Sequence, residues 1–145
     1  MVGTYKKHGN PIETSTYSSP IGLLRIRVSS GFIVEVDFTD ASHLYPEKVV
    51  HWSPLTERAH KQLEEYFSGK RTSFDLPLLA EGTVFQQECW RYLQAIPYGE
   101  TRSYYDEAVG VGNPKGVRAV ANSNHRNNIS IIIPCHRVIG SDGKL

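Results

Sequence analysis

Pro134-Cys135-His136-Arg137-Val138 is the stretch of this chain best equipped for chemistry. It sets a thiol beside an imidazole and a guanidinium, directly after the apolar run Ile129-Ser130-Ile131-Ile132-Ile133. The thiolate is the nucleophilic form of cysteine, and nearby positive charge favours it. Arg137 and a protonatable His136 supply that charge. Two readings stand on chemistry alone. In one, Cys135 is a nucleophile facing an electrophile. In the other, it is an inert packed thiol with a chance histidine neighbour. Adjacent side chains rarely hydrogen-bond directly as a Cys–His pair does, so in the first reading His136 acts through a water. Cys89 lies on the apolar face of an expected helix, between Phe85 and Trp90, and reads as core.

The rest of the chain must position that thiol. Its 145 residues suit one ordinary domain or two small ones, and 39% hydrophobic residues are enough for a core. The net charge of +1 excludes polyanion binding by bulk charge, so any nucleic-acid contact needs a local patch. There is no apolar run of membrane-spanning length and no signal peptide, so a location in the cytoplasm, or the nucleus if eukaryotic, is expected. The segment Met1 to Lys7 reads as a loose polar arm. The two cysteines have no C-x-x-C partner and the histidines are scattered, so no zinc site is expected.

Residues 17–39 read as two strands of an antiparallel hairpin or meander. Tyr17 to Gly22 is a turn, Leu23 to Val28 and Phe32 to Phe38 alternate, and Ser29-Ser30-Gly31 turns between them. A helix fits Pro54 to Ser68, capped by Ser53, with Leu55, Ala59, Leu63 and Phe67 on one face. Arg71 to Pro77 looks extended, and Leu78 to Gly82 links to a second half. There Thr83 caps a helix through Gln94, with Phe85, Cys89, Trp90 and Leu93 inward. Ser103 caps a short helix from Tyr104 to Val109. Gly110 to Pro114 turns, and Pro114 opens a helix to about Asn124. Two short helices joined by a glycine-containing turn have the helix-turn-helix outline. The second carries Lys115 and Arg118, with Arg126 beyond its end, among small residues: Gly116, Ala119, Ala121 and Ser123. Small side chains admit a close partner, and a lone arginine among them can reach into a duplex. The same pattern also fits a plain solvated helix.

Assembled, these blocks resemble the O6-alkylguanine-DNA alkyltransferase family, also called methylated-DNA–protein-cysteine methyltransferases. The resemblance is weak over residues 1–75, where Ser19-Pro20-Ile21-Gly22 is the best local match. It is strong from Phe85 to Leu145: Phe85-Gln86-Gln87 with Trp90, Ile96-Pro97-Tyr98-Gly99-Glu100-Thr101, Gly112-Asn113-Pro114-Lys115, Arg118-Ala119-Val120 and Pro134-Cys135-His136-Arg137-Val138-Ile139-Gly140. It implies an α/β protein. A small ribonuclease-H-like sheet-and-helix domain, residues 1–80, precedes a mostly helical domain with a helix-turn-helix, residues 81–145.

The resemblance also implies a reaction. The helix-turn-helix binds duplex DNA in the minor groove, and an O6-alkylguanine is rotated out of the stack. The Cys135 thiolate takes the alkyl group irreversibly, once per molecule, with no cofactor and no metal. His136 is then the water-mediated base. Tyr104 helps rotate the nucleotide and protonates the departing guanine. Arg118 fills the gap left by the base, with Ala119 and Tyr105 beside it on the DNA face. Asn113 and Ser141 are candidates for phosphate contacts. The main-chain carbonyl of Val138 accepts from the guanine amino group, and Asn127 is the hinge that braces the helix-turn-helix against the cysteine turn. The partner is double-stranded DNA, with no membrane, and the protein is expected to be a monomer.

Three departures bear on these expectations. The family continues past the position of Leu145 with a glycine-rich loop and a helix whose glutamate orients the active-site histidine; the sequence here suggests a form lacking both. His125 and Asn128 fall where the family has glycine and proline, which predicts a less regular hinge. The cysteine and histidine zinc ligands of some members are absent. Rival readings are a lesion-binding, alkyltransferase-like module that transfers nothing, or an inactive truncated form. Behind them stand a transcriptional regulator with an unreactive cysteine and a thiol hydrolase.

Overall fold

The computed structural model describes residues 6–7, 10–40 and 53–140. They fall into two compact units divided between Leu79 and Ala80. The first unit holds a short antiparallel pair, β1 (Lys6–Lys7) with β2 (Asn10–Pro11), and a three-stranded antiparallel sheet. The sheet runs in order through β3 (Glu13–Ser19), β4 (Gly22–Ser29) and β5 (Phe32–Thr39). In β4 the alternation Leu24, Ile26, Val28 is buried, while Arg25 and Arg27 turn to the other face and pair with Glu35. Each such buried aliphatic side chain is worth roughly 1.5–3 kcal/mol. Helix α1 (Pro54–Phe67) covers β3 and β4 and buries Ala59 and Leu63. The Ser53 hydroxyl caps it by accepting from the Thr56 N–H.

The sheet has one more strand than the alternation predicts. Tyr17, Ser18 and Ser19 belong to β3 rather than to a turn, and the turn is confined to Pro20 and Ile21. Among the β3 side chains only Ser15 is buried, so this edge strand carries no hydrophobic alternation. Ladder bonds to β4 hold it instead, from Glu13 opposite Val28 to Ser19 opposite Gly22. Beyond α1, the extended segment returns to the sheet: Ile33 donates to the Pro77 carbonyl and accepts from Leu79.

The second unit packs α2 (Val84–Gln94), α3 (Tyr104–Gly110) and α4 (Val117–His125) around Cys89, Ala108 and Val120. Thr83 and Gln86 close a capping box at the start of α2, and Ser103 and Asp106 close another at the start of α3. The Trp90 indole donates to the Ser123 carbonyl at 2.8 Å and ties α2 to α4. Helix α4 begins later than Pro114. Asn113 to Gly116 forms a turn closed by the Gly116 N–H on the Asn113 carbonyl, and Pro114 occupies its second position. The exposed face of α4 also differs from the expected one. Ser123 is buried and Ala121 half-buried, leaving Val117, Arg118, Ala119, Asn122 and His125 outward.

Gly110 shows how closely α3 meets α2. A Cβ there would lie 2.7 Å from Cδ2 of Tyr92 and would also overlap the neighbouring ring carbon. Helix propensity alone predicts that Gly110→Ala stabilises by about 0.5–1 kcal/mol. The clash reverses that sign, and a loss of about 1–3 kcal/mol is expected. Thermal melting decides between them: a raised melting temperature would mean that Tyr92 yields.

Candidate alkyl-acceptor site

The main chain delivers Cys135 on a tight turn. The segment after α4 is irregular, and Ile129, Ile131, Ile132 and Ile133 are all buried. Ile131 sits at φ +72°, a left-handed conformation that a β-branched residue rarely adopts. Asn127 brackets it. Its Oδ1 accepts from the Ile129 N–H at 2.9 Å, and its Nδ2 donates to the Ile133 carbonyl at 2.9 Å. The same Ile133 carbonyl accepts from the Cys135 N–H at 2.9 Å. Asn127 and Cys135 are therefore joined through one oxygen.

Cys135 opens a single 3-10 turn, Cys135–Arg137, and is half-buried. Arg137 anchors the far end of the turn, donating to the Ile96 carbonyl at 2.8 Å with its guanidinium over the Tyr98 ring. Strand β7 (Val138–Ile139) follows and pairs in parallel with β6 (Arg102–Ser103), Ser103 opposite Ile139. Ser103 is also the cap of α3, so this pairing brings Tyr104, the first residue of α3, toward the cysteine turn. Tyr104 registers the proximity: burial raises its pKa above the ordinary tyrosine value, and negative charge on Cys135 and then Glu107 raises it further. His136 is exposed at its edge. Partial burial of the ring, then the Arg137 charge, lowers its pKa, so the neutral imidazole is favoured at pH 7. A neutral imidazole can accept a proton.

The expected site residues separate into two groups. Cys135, His136, Tyr104, Val138 and Asn127 gather around the cysteine turn. Val138 is fully buried as a side chain, so any role toward a ligand falls to its main chain. Arg118, Ala119 and Asn113 are exposed on α4 and the turn before it, and Tyr105 is exposed on α3. Ser141 lies outside the described residues. Among the described residues no three His, Cys, Asp or Glu side chains gather as a metal site, and no helix is long and apolar enough to cross a membrane. Cys89 is fully buried, and burial pushes its thiol up to about 11.

The sequence reading missed Arg137 as the anchor of the turn, and it missed Glu107 with Asn124. Glu107 is fully buried on α3, and its Oε1 accepts from Asn124 Nδ2 at 2.8 Å. The Ser103-x-x-Asp106 capping box was the available signal. It fixes the register of α3 and so puts Glu107 beside Ala108 on the inner face.

Chemically, the turn presents a half-buried thiol, a neutral imidazole next to it in sequence and a tyrosine hydroxyl nearby. That set can move a proton off sulfur and deliver another to a leaving group. Comparison with known proteins agrees. Residues 84–145 match the DNA binding domain of 6-O-methylguanine DNA methyltransferase, and residues 12–80 match the ribonuclease-like domain of the same protein. A methylated-DNA–protein-cysteine methyltransferase of Methanosarcina barkeri is 48% identical over 129 residues, covering 88% of this chain and 82% of the relative. The crystal structure of a Mycobacterium tuberculosis O6-methylguanine methyltransferase superposes with a TM-score of 0.79 at 40% identity, covering 92% of this chain and 82% of that one. That of Mycobacterium tuberculosis OGT in complex with DNA gives 0.77 at 42% identity, covering 91% and 81%. By both domain matches and by this level of identity, the chain belongs to the 6-O-methylguanine DNA methyltransferase family.

Proposed function

We propose that this protein repairs O6-alkylguanine in duplex DNA by direct transfer of the alkyl group to Cys135. The observation that carries the reading is the half-buried Cys135, held on a hydrogen-bonded turn, with Tyr104 near enough to feel its charge. His136 takes the thiol proton through a water. The sulfur attacks the alkyl carbon, the S–C bond forms as the C–O6 bond breaks, and the electron pair returns to the guanine. Tyr104 protonates that guanine as it leaves. The product thioether is stable, so each molecule reacts once. Arg118, exposed near the start of α4, fills the space of the extruded base, with Ala119 and Tyr105 alongside and Asn113 toward phosphate. The protein acts as a monomer, in the cytoplasm or, if eukaryotic, in the nucleus, and residues 81–145 form the DNA-binding and acceptor domain.

Intact-protein mass after mixing with a duplex carrying one O6-methylguanine tests the reading. One added methyl, mapped to Cys135, supports it. An unchanged mass with lesion binding retained would replace it with recognition without transfer. Arg118 has its own test. Arg118→Ala should slow transfer from duplex DNA by roughly 10–100-fold, while reaction with free O6-methylguanine changes little. Equal losses on the two substrates would remove the gap-filling role.

A further inference from the structure

Glu107 is a buried carboxyl for which the proposed reaction has no use. It lies one helical turn after Tyr104, and Asn124, near the end of α4, is 6% exposed. Asn124 Nδ2 donates to Glu107 Oε1 at 2.8 Å. The other atom of each group, Glu107 Oε2 and Asn124 Oδ1, is buried without a hydrogen-bond partner. Buried polar atoms without partners are rare and costly. Here both orphans are acceptors if the carboxyl is ionised, and they belong to two planar groups already joined on one side. A single proton on Oε2 supplies the missing donor. It would close a two-bond ring of carboxylic acid and amide, in which each group donates once and accepts once.

We propose that Glu107 is held as the neutral acid and that Glu107 and Asn124 are positioning residues, a proton-dependent clasp fixing α3 against α4. The surroundings agree. Burial pushes the Glu107 carboxyl up to about 7, against the Asn124 bond, which pulls it down. The ionisable groups that feel it are Tyr104 on its own helix and Cys89 and Tyr92 on α2, all raised first by their own burial and further by its negative charge. Arg102 of β6 pairs with Glu100, Arg118 and His125 are exposed on α4, and β7 offers only Val138 and Ile139. Ionisation would therefore leave an uncompensated buried charge and break one of the two bonds of the clasp. Helix α3 carries Tyr104 and α4 carries Arg118, so the clasp sets the registry between them. That last step rests on the function proposed above.

The sign of the linkage is fixed by the raised value. The unfolded chain gives up the Glu107 proton near 4.5 and the folded chain near 7. Stability from this group is complete below about 4.5 and is lost as pH rises through 7. Glu107→Gln keeps both bonds of the ring without a titrating proton. Between about pH 5 and 8.5 the folding constant of the wild type should fall relative to that of Glu107→Gln by on the order of a hundredfold. The difference isolates Glu107 from the histidines and other carboxylates. Parallel stability curves would overturn the proposal. Infrared spectroscopy of the wild type reads the proton directly and does not depend on the variant folding. A protonated carboxyl band that disappears with a midpoint near pH 7 is expected, and its absence at pH 6 would overturn the proposal. On duplex substrate, the wild-type transfer rate should fall relative to Glu107→Gln through the same pH range, and a flat ratio would remove the positioning role. If neither protein transfers a methyl group, the reaction reading fails, while the stability and infrared readings still decide the clasp.

Discussion

Cys135→Ala leaves no methylated protein after incubation with O6-methylguanine duplex, and transfer falls by at least about 10⁴-fold. The chain has one other thiol, and it cannot stand in. Cys89 is the second free thiol, but it is fully buried. Pushed up to about 11, it holds on the order of one thiolate in ten thousand at pH 7. Serine at 135 keeps the shape but ionises far less readily than a thiol, so it fails as alanine does. Binding behaves differently. Arg118, Ala119 and Asn113 sit on α4 and the preceding turn, outside the cysteine turn, so duplex affinity should change by no more than a few-fold. Intact mass and a DNA-binding titration on the same preparation give both readings. A methylated Cys135→Ala protein would move the acceptor elsewhere. Lost affinity with a lowered melting temperature would show that the thiol also packs the turn.

The elements around this site were legible where local chemistry and burial agree. Helix α2 is the clearest case. The Thr83–Gln86 capping box marks its start, and Cys89, Trp90 and Leu93 recur at helical spacing on its buried face. Helix α3 follows from Ser103 and Asp106 in the same way. The start of α4 was misplaced because proline suits both a first helical turn and the second position of a β-turn. The Gly116 N–H on the Asn113 carbonyl selects the turn. Strand β3 was lost because Glu13-Thr14-Ser15-Thr16 has no apolar alternation. The information that makes it a strand lies in β4, which offers a complete row of partners.

Within the site, Cys135, His136 and Arg137 could be picked out by type and adjacency, but the partner of Arg137 could not. Its carbonyl acceptor at Ile96 is distant in sequence and generic in kind. The Glu107–Asn124 pair was hidden for a related reason. Two polar residues on short helices read as solvated surface, and their burial follows from the packing of α3 on α4. Asn127 was singled out through the resemblance, while its two bonds and the strained residue between them appear only in three dimensions.

Asn127→Ala should lower stability by about 1–3 kcal/mol and slow transfer even where the protein remains folded. The side chain satisfies the Ile129 N–H and donates to the Ile133 carbonyl, one bond on each side of Ile131. Alanine leaves the Ile129 donor without its acceptor beside a buried isoleucine cluster, which costs about 1–3 kcal/mol. It also frees Ile131, whose left-handed backbone holds about 1–3 kcal/mol of strain and persists only while its surroundings enforce it. Relaxation there would shift Ile133, and the Cys135 N–H is bonded to the Ile133 carbonyl. The loss therefore reaches the nucleophile through the main chain. Asn127→Asp keeps the acceptor for Ile129 but sets a charged oxygen against the Ile133 carbonyl, so it should fail comparably at neutral pH. Asn128→Ala, at the exposed neighbour, should stay within about 0.5 kcal/mol of the wild type. Chemical denaturation and single-turnover transfer, measured on all three variants, separate the outcomes. If Asn127→Ala loses stability but transfers at the wild-type rate, the bracket holds the fold without setting the thiol, and the route through the Ile133 carbonyl is wrong.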